Sequence, residues 1–469
     1  MKRTFKQKIA FAAADIFGGG SFNIVNFLYT PFLALTVGLS AYWISIVMII
    51  ARVWDAIIDP IIGYLSDKTH SRFGKRRIYL LVVAPLVFVS MYFLFFPYQI
   101  PNEGLRVIAV LTSYLLFTTI QSLIMIPYYS LASEISADYQ KRASFNSYRL
   151  GFSIFSSILC VAVPGLIVEA FGSNTALGYQ VMSLSFGTVF MISILLTAIF
   201  AKEEISTQPV KEKFNLKGIV KPLKIKAFRQ YLVMFLMVQV AMAIMSALFF
   251  FYIDFYFIKT ATLNGESSIV GLISAALMFG MQIVALPFYL KMIEKKGKTY
   301  VYRFGALIWM VAGIVLFFIP SDSNPIYIYL LAAVMGFGIS APGLIPHAMY
   351  GDVVDVGQLY LDERLDGQMS GFSNFVNQVS QGAGVALAMA ILGLAGFQEQ
   401  VIGEPTIVAQ VDSALLAIRF VMALTPIIFL GIGSFVSLKY KIDAKKQHEI
   451  KAALEDSNLK KATLESIQS

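Results

Sequence analysis

Long apolar runs recur along the whole sequence, and each is long enough to cross a lipid bilayer as a helix. A spanning helix needs about 20 mostly apolar residues. Runs this long and continuous exclude a β-barrel, whose strands alternate in polarity over about ten residues. We therefore predict an all-α membrane protein with twelve transmembrane helices. The predicted spans are 9–36, 42–65, 78–98, 105–132, 147–168, 177–200, 229–257, 268–290, 300–319, 325–350, 368–396 and 413–438.

Composition supports the same class. The chain has 469 residues, of which 57% are hydrophobic and 14% are charged, against roughly 45–50% and 25% for a soluble domain. A soluble fold of this length could not bury so much apolar side chain. A soluble enzyme, a DNA-binding protein and a disordered chain are therefore excluded. The single cysteine, Cys160, can form no internal disulfide.

Basic residues are distributed unequally between the two sides of the predicted bundle. Of the 37 lysines and arginines, the side opposite the termini holds Arg106 and Lys259, and two more, Arg52 and Arg419, lie within spans. The positive-inside rule then places both termini in the cytoplasm. This topology explains the net charge of +9 without a nucleic acid partner. We expect a multi-pass protein of the plasma membrane.

A long polar linker divides the spans into two groups of six. Six spans on each side of a basic cytoplasmic loop are typical of two parallel repeats. We predict an N-terminal six-helix bundle at 1–201, a linker at 202–228, a C-terminal six-helix bundle at 229–440 and a cytoplasmic tail at 441–469. The tail is expected to be a solvated helix or a frayed end.

Span 2 carries three ionisable residues on one helix face. Arg52, Asp55 and Asp59 lie within roughly 60° of one another around the helix axis. Each costs roughly 2.5–3.5 kcal/mol in mid-membrane unless it is paired or faces water. Two carboxylates one turn apart can bind Na⁺ with further oxygen ligands, or share a proton. The alternative is an Arg–Asp pair that only tightens helix packing, but one arginine cannot neutralise two acids.

The loop after span 2 joins small, acidic and basic residues at a recognisable spacing. Gly63 and Asp67 are followed by Gly74, Lys75 and Arg76. This pattern resembles the signature loop of the major facilitator superfamily, and a weaker copy from Lys291 to Lys298 follows span 8. The resemblance implies the major facilitator fold. It also implies that Asp67 and Arg76 latch neighbouring helices during gating.

A more specific resemblance covers nearly the whole chain. The motif Arg52-x-Trp54-Asp55-Ala-x-x-Asp59-Pro60 resembles the glycoside–pentoside–hexuronide:cation symporter family. The resemblance implies that Asp55 and Asp59 bind the coupling cation, with the Ser122 hydroxyl near the position of a family threonine ligand. They are metal ligands only if that cation is Na⁺.

The same resemblance extends to other candidate residues. It implies a sugar-contacting arginine at Arg149 and an aromatic at Tyr129. A charged segment between spans 10 and 11 is similar to a cytoplasmic gate of the family. The gate candidates are Asp352, Asp355 and Arg364.

The sequence also departs from the family pattern. Where the melibiose transporter has two sugar-binding acids, this sequence has the segment Gly18-Gly19-Gly20-Ser21 in span 1 and Met125 in span 4. Gln381 replaces a lysine, and Ile58 replaces an asparagine beside the second cation carboxylate. A melibiose-like galactoside is therefore a doubtful substrate, and a changed cation preference is plausible. Asp15 is either a displaced functional acid or a partner of a cytoplasmic lysine.

Neutral polar side chains suggest an uncharged, polyhydroxylated solute. Amides and hydroxyls form a stripe along span 11 that includes Asn377 and Gln381, and Asn23 and Gln121 lie on spans 1 and 4. The alternative is ordinary hydrogen bonding between helices. We assign Arg149, Tyr129, Asn23, Asn377, Gln381 and Gln121 to the substrate site.

The sequence therefore predicts a secondary active transporter, not an enzyme, that couples a sugar or glycoside to a monovalent cation by alternating access. The expected partners are the solute, H⁺ or Na⁺ and the lipid bilayer. We expect no other cofactor, and a functional monomer. Three alternatives stay open: a cation-coupled carrier of a lipid or other small molecule, a membrane enzyme, and a channel or sensor.

Overall fold

A computed structural model describes residues 2–69, 71–134, 139–172, 174–201, 221–258, 266–321, 323–361, 366–398 and 409–455. Ten helices in this part of the chain are long and apolar enough to cross a membrane. The other two predicted spans, 9–36 and 42–65, correspond to a broken helix and to a helix with several charged residues. The prediction of an all-α, twelve-span membrane protein is confirmed.

The first half of the chain begins with a helix that is interrupted twice. α1 ends at Ala12, and the helix after it passes into two π-helical segments, Val25–Tyr29 and Phe32–Thr36. Pro31 lies between the π segments and has no amide hydrogen to donate to the preceding turn. The helices of this half are α1 Lys2–Ala12, α2 Asp15–Ile24, α3 Ala41–Lys68, α4 Arg77–Leu94, α5 Glu103–Glu134, α6 Tyr139–Glu169 and α7 Thr175–Phe200.

The second half ends in a short helix beyond the last span. A π segment, Tyr252–Phe257, extends the first of its helices, and another, Pro426–Leu430, interrupts the last span. The helices of this half are α8 Lys226–Phe251, α9 Glu266–Lys296, α10 Lys298–Phe318, α11 Ile326–Leu361, α12 Asp366–Leu394, α13 Asp412–Thr425, α14 Gly431–Leu438 and α15 Ala444–Glu455.

Two compact units make up the chain. Unit 1 comprises Met1–Lys211, Phe249–Ala276 and Met389–Leu415, and unit 2 comprises the remaining residues from Glu212 to Ser469. The division into six-helix bundles on either side of 202–228 stays a prediction.

Glycines bring α2 against α6 in unit 1. A Cβ added at Gly19 would lie 2.5 Å from Oγ and 2.7 Å from the carbonyl oxygen of Ser153. The next residue, Gly20, is equally close to Ser156. Small residues allow helix backbones to approach closely in membranes, so this glycine run allows α2 to pack closely against α6.

Candidate functional site

The acidic face of α3 lies against α5. Asp55 is 5% exposed, and its Oδ2 accepts a bond of 3.2 Å from Nη1 of Arg52. Nη2 of the same arginine donates to the hydroxyl of Tyr114 at 3.1 Å. The other oxygen of Asp55, Oδ1, is buried and has no hydrogen-bond partner among the described residues. An oxygen in that state is available to a ligand.

The second acid is joined to α5 directly. The hydroxyl of Ser122 donates to Oδ1 of Asp59 at 2.5 Å. One turn earlier on each helix, Nε1 of Trp54 donates to Oγ1 of Thr119 at 2.8 Å. The structure therefore brings together the cation candidates Asp59 and Ser122, with Asp55 one turn along α3.

This arrangement has the chemistry of a site for a small cation. It offers two carboxylates and a hydroxyl, all oxygen donors of the kind that hard cations prefer. Among the described residues, the guanidinium of Arg52 forms an ion pair with Asp55. The two carboxylates, the hydroxyl and the buried Oδ1 of Asp55 fit a bound monovalent cation or proton.

A second ion pair in unit 1 links α2 to α6. Nε of Arg149 lies 3.1 Å from Oδ2 of Asp15, and the guanidinium carbon is 5.2 Å from the ring centre of Tyr129. The hydroxyl of Tyr128 lies 3.2 Å from the same carboxylate oxygen. In the described part of the chain, the ion-pair partner of Asp15 is thus Arg149. The sequence did not show this contact, because helical spacing within one helix does not reveal which residue of another helix lies against it.

Two further substrate candidates of unit 1 are bonded to α2. Nδ2 of Asn23 donates to the carbonyl oxygen of Gly19 on its own helix at 2.8 Å. Nε2 of Gln121 donates to Oγ of Ser21 at 3.3 Å. Both amides therefore have partners within the protein, and a solute role for either stays a prediction.

The amides of α12 form a network with α8 in unit 2. Oδ1 of Asn377 accepts bonds from Nε2 of Gln381, at 3.1 Å, and from Nε2 of Gln239. Gln239 is a component that sequence reasoning missed. The available signal was an amide in the middle of an apolar run of span 7, where the neighbouring residues 231–238 and 240–245 are all hydrophobic.

The gate candidates fall on the ends of helices. Arg76 is buried and donates to Oγ of Ser66 at 2.5 Å. Asp352 forms an ion pair with Lys298, and Asp355 accepts a bond of 2.8 Å from Nε2 of Gln447. Arg364 and the Asp67 side chain lie outside the described part of the structure.

The position of the two α11 acids differs from the expected one. The sequence places span 10 at 325–350 and a charged segment after it, but α11 continues to Leu361. Asp352 and Asp355 therefore lie on the last turns of that helix. An ion pair with α10 and a hydrogen bond with α15 offset their charge, so the helix does not have to end before them.

A twelve-span helical bundle with paired ionisable groups in its spans defines a multi-pass membrane transporter rather than an enzyme. The family described as MFS/sugar transport protein matches residues 10–444. The chain belongs to this family, and the resemblance identified from the sequence is confirmed.

Relatives of this chain are named as transporters, and the solutes in their names differ. A symporter from Synechocystis is 26% identical, with 97% of each chain covered. The isoprimeverose transporter of Lactiplantibacillus pentosus is 26% identical, covering 98% of this chain and 93% of the relative. The sodium-dependent lysophosphatidylcholine symporter 1 of Gallus gallus is 23% identical, covering 89% and 83%.

The fold is also that of solved transporters. The crystal structure of the nucleoside transporter NupG aligns with a TM-score of 0.59 at 13% identity, covering 94% of this chain and 100% of that one.

Proposed function

We propose that the protein is a cation-coupled symporter of a sugar or glycoside. The observation that carries the coupling is the pair of carboxylates on α3, of which Arg52 balances one and Ser122 bonds the other. A residual negative charge in a membrane span is costly until a cation binds. Loading the cation removes that charge and favours the rearrangement that carries the solute across.

The sugar class rests on neutral hydrogen-bonding groups and on the family. In unit 2, the Asn377 network offers amide donors and acceptors. In unit 1, Tyr129 offers an aromatic face that is 51% exposed. Amides and aromatic rings are each groups to which hydroxyl-rich solutes bind. The isoprimeverose transporter, named for a sugar, is 26% identical to this chain over 93% of its own length.

A lipid-like solute is the second candidate. The lysophosphatidylcholine symporter of Gallus gallus is nearly as similar to this chain as the isoprimeverose transporter. Overall identity therefore does not separate the two solutes. The two sugar-binding acids expected from the family are absent, since the segment Gly18-Gly19-Gly20-Ser21 and Met125 occupy their positions.

H⁺ is the cation we favour. Na⁺ prefers several oxygen ligands, and Ile58 supplies none where the family has an asparagine. Two neighbouring carboxylates can instead hold one shared proton. The positive-inside distribution of basic residues supports cytoplasmic termini in a plasma membrane, and one chain carries all of these groups, so we propose a functional monomer.

Uptake by proteoliposomes tests the proposal. Purified protein is reconstituted, a pH gradient or a Na⁺ gradient is imposed, and uptake of labelled isoprimeverose, other pentosides and glycosides, and lysophosphatidylcholine is compared. We expect accumulation of a sugar above its equilibrium level with at least one gradient. Accumulation of lysophosphatidylcholine alone would show that the protein transports a lipid instead of a sugar. Solute flux that neither cation gradient drives would contradict symport.

A further inference from the structure

The two side chains of the ion pair between Asp15 and Arg149 differ in their exposure. Asp15 is 4% exposed, whereas the side chain of Arg149 is 29% exposed. Nε of Arg149 lies 3.1 Å from Oδ2 of Asp15. The ion pair therefore joins a buried acid to a partly exposed arginine.

Tyr128 and Gly18 lie beside the Asp15 carboxylate. Tyr128 lies within donating distance of Oδ2, and its hydroxyl is also 3.0 Å from the carbonyl oxygen of Phe11. Gly18 leaves room for the carboxylate, because a Cβ there would lie 2.8 Å from Oδ1 of Asp15 and 2.5 Å from Cε of Met125. The carboxylate therefore fits beside Arg149 because position 18 has no side chain.

This geometry determines what charge the arginine presents. A guanidinium alone attracts carboxylates and phosphates and binds them with paired hydrogen bonds. A guanidinium already neutralised by Asp15 still offers N–H donors, and the ring of Tyr129 lies beside it. An anionic solute would meet the repulsion of a carboxylate that is already in place, and such built-in repulsion is a common source of specificity.

We infer that Asp15 is a specificity-determining residue, which neutralises Arg149 so that the site accepts uncharged hydroxylated solutes and rejects anionic ones. The inference rests on the proposed function and narrows it to neutral members of the glycoside class. Within this site Asp15 is a positioning residue, since it acts through Arg149.

Thermal stability in the presence of glucose and glucuronate tests the inference. The two probes share one ring and differ by a carboxylate, and a ligand that binds only the folded state raises its apparent stability. The purified protein is compared with Asp15→Asn, with the double variant Asp15→Asn and Arg149→Gln, and with Tyr128→Phe. The last variant keeps both charges and is the matched control.

We expect Asp15→Asn to lower the Kd for glucuronate by about tenfold or more, while the Kd for glucose changes little. The double variant should lose this gain, and Tyr128→Phe, which keeps both charges, should show no gain in glucuronate affinity. If Asp15→Asn does not fold, Asp15→Ala removes the same charge and is read in the same way.

The inference is overturned by any of three results. One is the absence of a gain in glucuronate affinity on removal of the Asp15 charge. The second is a gain in glucuronate affinity that persists in the double variant. The third is glucuronate binding by the unmodified protein that is already as tight as binding by Asp15→Asn. Absence of glucose stabilisation in every variant would count against the sugar proposal alone, because the glucuronate comparison between variants is read independently.

Discussion

The hydroxyl of Ser122 donates a hydrogen bond of 2.5 Å to Oδ1 of Asp59 and so joins α5 to the acidic face of α3. A hydroxyl that donates one hydrogen keeps a lone pair for another partner. It can therefore hold the carboxylate in position and also contribute an oxygen to a bound cation.

Replacing Asp59 with Asn should abolish cation-driven accumulation, because one of the two charged oxygen ligands is lost. Exchange of solute down its own gradient should survive. Uptake and counterflow in the same proteoliposomes measure both. Trp54→Phe is the matched control, since Trp54 lies five residues before Asp59 on α3 and its side-chain hydrogen bond is to Thr119. Accumulation by Asp59→Asn with unchanged cation dependence would contradict the site assignment.

Replacing Ser122 with Ala should weaken cation binding without abolishing transport. A hydrogen bond to a charged group contributes about 1.5–3 kcal/mol, which corresponds to a roughly 10- to 100-fold higher cation concentration for half-maximal uptake. Ser122→Thr keeps the hydroxyl and should stay within a few fold of the unmodified protein. Equal cation dependence for the Ala and Thr variants would remove the serine from the site.

Replacing Lys298 with Ala should slow transport more than it weakens solute binding. Its ammonium group bonds both Asp352 and the carbonyl oxygen of Ala348, 2.9 Å away, and so ties the start of α10 to the end of α11. Turnover and solute Kd are measured on the same preparation. Exchanging the charges, Lys298→Asp with Asp352→Lys, should restore part of the rate. A rate unchanged by Lys298→Ala would reduce the pair to a solvated surface contact.

The coupling ion can be distinguished by pH measurements. If H⁺ is transported, adding solute to deenergised cells should make the medium more alkaline. Replacing Ile58 with Asn adds an oxygen ligand beside Asp59 and should strengthen stimulation by Na⁺. A strict Na⁺ requirement, with no pH change on adding solute, would contradict proton coupling but leave the two carboxylates in their assigned role.

Sequence reasoning reached further for features within one helix than for contacts between helices. Asp55 and Asp59 could be found because charges in an apolar run are costly and their spacing places them on one face. The Asp15–Arg149 contact could not be derived, since the two residues are far apart in sequence and each had several conceivable partners. Lys298 and Gln239 were missed as partners of Asp352 and Asn377 for the same reason.

α11 continues beyond the predicted end of span 10, and the sequence did not show this for a related reason. A run of acids after an apolar stretch predicts a helix end only if nothing neutralises them. The ion-pair partner comes from α10 and the hydrogen-bond donor from α15, which lie before and after α11 in the chain, and periodicity alone shows neither.

The contact between Asp355 and Gln447 has a consequence for biosynthesis. α15 packs on α11, and Ile450 within it is 0% exposed. Because α15 follows the last membrane span, every span is translated before this short helix leaves the ribosome. The last turns of α11 therefore gain this contact only after every span has been synthesised. A chain that terminates before Asp443 would carry a full set of spans and still lack the Gln447 amide that bonds the Asp355 carboxylate.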